Sequence, residues 1–88
     1  MLKVTKRNRN LVPFDINRIE TAISKAFRSC GIVWQDKVVK DIARNVKIWE
    51  GISVEDIQDQ VEELLMDYDY PQVAKEYILY RAKHKETR

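Results

Sequence analysis

At Asp15 the hydrophobic pattern of this chain changes period, and that change decides what it can fold into. Before it, Leu2, Val4 and Lys6 alternate with Lys3, Thr5 and Arg7, the two-residue period of a strand. Leu11 to Phe14 reads as the return strand. Asn8-Arg9-Asn10 between them supplies residues that tolerate left-handed turn geometry, so a β-hairpin is expected. Pro13 cannot donate a ladder hydrogen bond, which places it at an edge or at the strand's end. After Asp15 the period is helical. Ile16, Ile19, Ile23, Ala26, Phe27 and Cys30 share one face, with Asp15 or Asn17 as N-cap and Gly31 as the stop. Val38, Val39, Ile42, Ala43 and Val46 repeat the pattern in a second helix, expected to close at Gly51. Ser53 with an acid at Asp56 forms a variant capping box for a third helix, through Ile57, Val61, Leu64 and Leu65. Pro71 opens a fourth, through Val73, Ala74, Tyr77, Ile78 and Arg81. The expected fold is mostly α (α+β): residues 1–88 form a single domain, a four-helix bundle (15–85) capped by a small N-terminal β-hairpin (2–14).

Eighty-eight residues leave room for a modest core, with roughly 60% of the unfolded surface buried, and too little for a multi-step active site. Cys30 is the only cysteine, which excludes an internal disulfide and a Cys-rich zinc site. No apolar run approaches the ~18 residues of a membrane span. Lys3, Lys6 and Arg7 interrupt any signal peptide, so the expected location is cytoplasmic, without membrane. Net charge is only +2 but unevenly spread. Lys3 to Arg9 is purely basic, Glu50 to Asp69 carries eight acids and no base, and Lys75 to Arg88 turns basic again. The two ends of the chain can therefore meet at one electropositive site.

If Leu2 and Val4 face the bundle, the alternation sends Lys6 the same way, toward a core that an ammonium enters only at a cost unless an anion meets it. The alternative is that the strand ends at Thr5 and Lys6 lies in solvent. Arg7 beside it strengthens the case for an anion, because a guanidinium can hold two phosphate oxygens. One basic cluster on a chain of this net charge is thin support for nucleic-acid binding, which is not expected. His84 reads as a solvated surface group and Cys30 as a small core hydrophobe. Trp34 and Trp49 read as packing residues, either able to cover a purine ring. The acids of the third helix read as a solvated face. No Gly-rich phosphate loop, Ser/His/Asp arrangement or metal-ligand spacing is present, so no catalytic residue and no metal ligand is expected.

The blocks "VTKRNRNLVPFDINRIETAI", "ISVEDIQDQVEELLM" and "YPQVAKEYILYR", in that order, resemble the ATP-cone, the regulatory nucleotide-binding domain at the N-terminus of many ribonucleotide reductases. The likeness runs from Val4 to Arg81. The second and third blocks look most like cones of anaerobic ribonucleoside-triphosphate reductases, although class I and II enzymes carry similar ones. It implies ATP or dATP as allosteric ligand, with or without Mg²⁺, held between cap and bundle. It implies phosphate contacts from Lys6 and Arg7, from Arg18 in the block where the family has "FDxxKI", and from Arg81 with Lys83 or Lys85 on the last helix. A triphosphate carries about four negative charges, which three or four converging cations can balance in a partly desolvated cleft. From the fold reading, Val4, Phe14, Ile19 and Ile52 would wall the adenine slot.

The family usually has Asp-Gly at the hairpin turn, where this chain has Asn8-Arg9, and Arg9 lacks glycine's freedom. The resemblance further implies that ATP keeps a reductase on and dATP turns it off, through subunit association or access to the catalytic domain. Partners are then the catalytic domain or subunits of a ribonucleotide reductase, with a homo-oligomer as one route. Such a chain is an excised domain or a free-standing cone that binds nucleotide without turning it over. Two alternatives stand beside this reading. One is the cone of a nucleotide-responsive transcriptional regulator of reductase genes, which carries a zinc ribbon needing paired cysteines. The other is a degenerate cone that uses its acidic third helix as a protein-interaction surface.

Overall fold

In the computed structural model, which describes residues 2–33 and 36–86 and side chains as far as Lys83, strand β1 (Lys3–Thr5) lies between two partners. Trp34 and the side chains of His84 and Lys85 fall outside the described residues. On one side β1 pairs antiparallel with β2 (Leu11–Pro13), Lys3 opposite Pro13, Val4 opposite Val12 and Thr5 opposite Leu11. On the other side it meets the segment that leads into the third helix. Gly51 N–H donates to Lys3 O at 2.8 Å, Thr5 N–H donates to Ile52 O at 2.8 Å, and Thr5 forms a parallel bridge with Ser53. β2 is thus the outer strand, where Pro13's missing N–H removes no bond to a further strand. Val4 is buried, but Leu2 is 42% exposed, so the alternation carries only one apolar side chain into the core.

Four helices follow: α1 (Ile16–Cys30), α2 (Asp36–Asn45), α3 (Val54–Asp67) and α4 (Pro71–Glu86). Their ends are set by local chemistry. The Asp15 carboxylate accepts from Asn17 N–H at 2.9 Å at the start of α1. Gly31 ends α1 in the left-handed conformation, φ 69°, which lets Ile32 N–H reach back to Phe27 O at 3.3 Å. Ser53 Oγ accepts from Asp56 N–H at 3.0 Å and caps α3. At the far end of α3, Asp69 takes the left-handed position (φ 68°) and Tyr70 N–H bonds Leu65 O at 2.8 Å, turning the chain into α4.

Two expectations are corrected. α2 ends at Asn45, and Gly51 belongs to the loop that docks on β1, its φ of 83° turning the chain toward Lys3. Ile78 is not on the buried stripe of α4: it is 48% exposed, because Val73, Tyr77 and Arg81 follow the four-residue spacing and Ile78 falls one position aside.

The helices pack in a ring, α1 on α2 and α4, α3 on α2 and α4. Ile23, Phe27, Ile42, Val61, Leu65 and Val73 are fully buried at its centre, each worth about 1.5–3 kcal/mol of transfer free energy. Ile52 and Val4 extend that core beneath the hairpin. Among the described residues no helix is long and apolar enough to cross a membrane.

Candidate functional site

Ser53 serves two elements at once. It caps α3 and pairs with Thr5, so the end of β1 sits at the N-terminus of α3 and the next residues of the hairpin lie over that helix's first turns. Lys6 closes the hairpin turn through its backbone, donating to Asn10 O at 2.9 Å and accepting from Arg9 N–H at 2.8 Å. The strand therefore ends at Thr5, and Lys6 is half-buried, with no ion pair given to its ammonium among the described residues.

Arg7 reaches α3. Its Nε donates to Glu55 Oε1 at 3.0 Å, and Nη2 makes a long contact of 3.5 Å with Gln58 Oε1. From the opposite side, on α4, Arg81 Nη1 donates to Asp59 Oδ1 at 3.1 Å and to Glu62 Oε1 at 2.6 Å. Residues 55, 58, 59 and 62 are spaced three, one and three apart, which puts them on one face of α3. Two cations from chain positions more than seventy residues apart thus meet one helix face, roughly 10 Å apart along its axis at 1.5 Å per residue.

Burial differs between the two ends of this face. The Arg81 side chain is 17% exposed and Glu62 23%, whereas Glu55 is 51% exposed. Burial alone would lower the basicity of the Arg81 guanidinium, but hydrogen bonds from Glu62 and Asp59 and their charges outweigh it, so its pKa is raised. Tyr77, one turn before Arg81, is pushed well above the ordinary tyrosine range by burial first, partly offset by Arg81 and reinforced by Glu62; its hydroxyl stays protonated throughout the physiological range.

The other expected residues sit as follows. Arg18 is exposed in the first turn of α1, its N–H bonded to Asp15 O at 3.1 Å. Lys83 is exposed on α4, but about 200° around the helix from Arg81, so the two do not share a face. Val4, Ile19 and Ile52 are core residues at 6%, 9% and 1% exposure, and Phe14 is half-buried against them. All four side chains belong to one core or pack against it. The two surface cavities of note lie elsewhere, about 310 Å³ between α3 and α4 around Met66, Ala74 and Leu79, and about 480 Å³ between α1 and α2 around Thr21, Arg28 and Lys40. Trp49 is 52% exposed, which corrects its reading as a packing residue. Cys30 is half-buried, its thiol donating to Gln72 O at 3.4 Å.

Sequence reasoning missed Glu55, Gln58, Asp59 and Glu62 as partners of the arginines. The signal was the 55/58/59/62 spacing, read only as a solvated face. That reading holds for Asp59, 63% exposed, and fails for Glu62.

Arg9 settles into the left-handed region with φ 69°, the conformation a glycine would take there, while Asn8 Oδ1 accepts from Asn10 N–H at 3.1 Å. The turn is intact but strained. A side chain in this region costs about 1–2 kcal/mol, and a glycine loses about 0.5–1 kcal/mol more backbone entropy on folding. Arg9→Gly should therefore stabilise the domain by about 0.5–1 kcal/mol, a rise of ~2–8 °C in Tm for a chain of this size. An unchanged or lower Tm in a thermal melt would show that the Arg9 side chain makes a compensating contribution.

The family profile described as ATP cone domain matches residues 2–86. The chain is 42% identical over 98% of its length to the vitamin B12-dependent ribonucleoside-diphosphate reductase of Mycobacterium tuberculosis, of which it covers 13%. It is 33% identical over 97% of its length to the ribonucleoside-diphosphate reductase subunit alpha of Chlamydia trachomatis, covering 10% of that protein. It is 33% identical over 89% of its length to the anaerobic ribonucleoside-triphosphate reductase of Salmonella typhimurium, covering 11%. The chain thus spans only about a tenth of the relatives it matches.

Proposed function

We propose, from the premise that this chain belongs to the ATP-cone family, that it is an allosteric ATP/dATP-binding domain of a ribonucleotide reductase. It sets overall activity, ATP favouring the active state and dATP the inactive one. The observation that carries this reading is the convergence of Arg7, from the hairpin, and Arg81, from α4, on one face of α3, with Lys6 beside Arg7 and free of any ion pair among the described residues.

Lys6 and Arg7 would hold the phosphates, with Arg18, Arg81 and Lys83 supplying further positive charge. Val4, Phe14, Ile19 and Ile52 would have to part from one another to admit the adenine, so binding and a shift of the hairpin against the bundle are one event. A ligand moves an equilibrium only by its differential affinity for the two states. The 2′-hydroxyl that separates ATP from dATP is worth about one hydrogen bond, ~1 kcal/mol net. Reciprocity then requires that whatever conformation or assembly dATP favours also favours dATP. The partners in this reading are the catalytic domain or subunits of the reductase, and a homo-oligomer is one form that the off state can take.

Calorimetric titration of the chain with ATP and with dATP, with and without Mg²⁺, tests it. Saturable binding of both nucleotides is expected, the molar ratio counting the sites. Absence of heat and of any thermal shift at millimolar concentration of either nucleotide would rule the reading out.

A further inference from the structure

Two of the arginines that the proposed function assigns to phosphate, Arg7 and Arg81, already hold anions. Arg81 divides one terminal nitrogen between Asp59 and Glu62, at 3.1 and 2.6 Å, with its side chain only 17% exposed. Arg7 gives its Nε to Glu55. The carboxylates use Nη1 of Arg81 and Nε of Arg7, so other N–H donors of each guanidinium are left for a phosphate oxygen, but the charge that would strengthen those bonds is already balanced. Three carboxylates face Arg7, Arg81 and the neighbouring Lys6, so the charges here balance and leave no net positive field to draw a triphosphate.

We propose that Glu55, Asp59 and Glu62 are an internal competitor for the nucleoside triphosphate: α3 presents them to Arg7 and Arg81 in place of phosphate, and nucleotide binds against their competition. This rests on the reading that the cone binds ATP, and adds to it the residues that set its affinity. The carboxylates weaken the complex rather than build it.

ATP titration of the native chain, Glu55→Gln and the double variant Asp59→Asn/Glu62→Gln tests the proposal. A thermal melt establishes that each is folded. Removing the two charges that hold Arg81 should tighten ATP binding about tenfold, comparable to the gain of one charge-assisted bond. Glu55→Gln, at a half-exposed pair, should tighten it only about two- to threefold. Structural damage alone would weaken binding, so a gain of affinity is a readout that a merely structural role does not produce. If the Asp59→Asn/Glu62→Gln variant does not fold, Glu55→Gln still decides the question, since that side chain is half in solvent. Native binding with variants that bind equally or less tightly would overturn the competition and leave the proposed function standing. No binding by any of the three would remove that function and the competition with it.

Discussion

Phe27→Ala is expected to cost roughly 3–5 kcal/mol of folding stability. Phe27 is fully buried in α1, its ring edge-on to Tyr70 with centroids 4.9 Å apart and planes at 76°. Truncation removes the transfer free energy of the ring, leaves a cavity between α1 and the start of α4, and loses the aromatic pair, itself worth about 0.5–1.5 kcal/mol. The neighbours cannot collapse into the space without moving a helix, because Ile23 and Val73 already sit in the same core at zero exposure. A domain of this length is held by about 4–13 kcal/mol in total. The variant should therefore unfold at a much lower urea concentration, with a large part of the chain unfolded near physiological temperature. Leu79→Ala provides the contrast. Its side chain is 54% exposed on α4, and its loss should change stability by about 0.5 kcal/mol or less. Similar urea midpoints for the two variants would mean that α1 and α4 do not share the core described.

What the sequence made legible follows from how local each signal is. Asp15, Gly31, Ser53 and Pro71 act within four residues of themselves, and all four stand where their chemistry placed them. The same holds for the buried stripe of α1, where one helical period decides which side chains go in. Non-local decisions were not legible. Gly51 has the composition signature of a helix stop, yet its N–H is bonded to Lys3, forty-eight residues away, and only the paired sheet tells it apart from a C-cap. The acids of α3 look alike in sequence. Glu62 is distinguished from Glu63 only by facing Arg81, which the helical period of α3 cannot reveal without knowing that α4 packs there. For the same reason the cation run that opens the chain was legible as a cluster of charge, while the carboxylate that Arg7 meets was not.

The double variant Lys6→Ala/Arg7→Ala is expected to lose at least tenfold in ATP affinity while keeping its fold. The fold should survive because neither side chain holds the hairpin together. Lys6 contributes to the turn through its backbone alone, and the Arg7–Glu55 pair joins side chains 25% and 51% exposed, worth no more than ~1 kcal/mol at such a site. Binding should suffer because each charge-assisted bond to phosphate contributes about 1.5–3 kcal/mol, and the hairpin places both groups at the end of β1 where Ser53 fixes it to α3. The loss will be smaller than two such bonds, since the charge of Arg7 is already partly balanced by Glu55. Arg7→Lys separates charge from geometry: it keeps the charge and forfeits the fork, so affinity should fall between that of the native chain and that of Arg7→Ala. Calorimetry on a double variant with an unchanged melting temperature and undiminished affinity would place the phosphates elsewhere, on Arg18 and the α4 cations, and would free the hairpin from any part in recognition. A loss that appears for the double variant and is restored halfway by Arg7→Lys instead ties recognition to the guanidinium plane, through which Arg7 also meets Glu55 of α3.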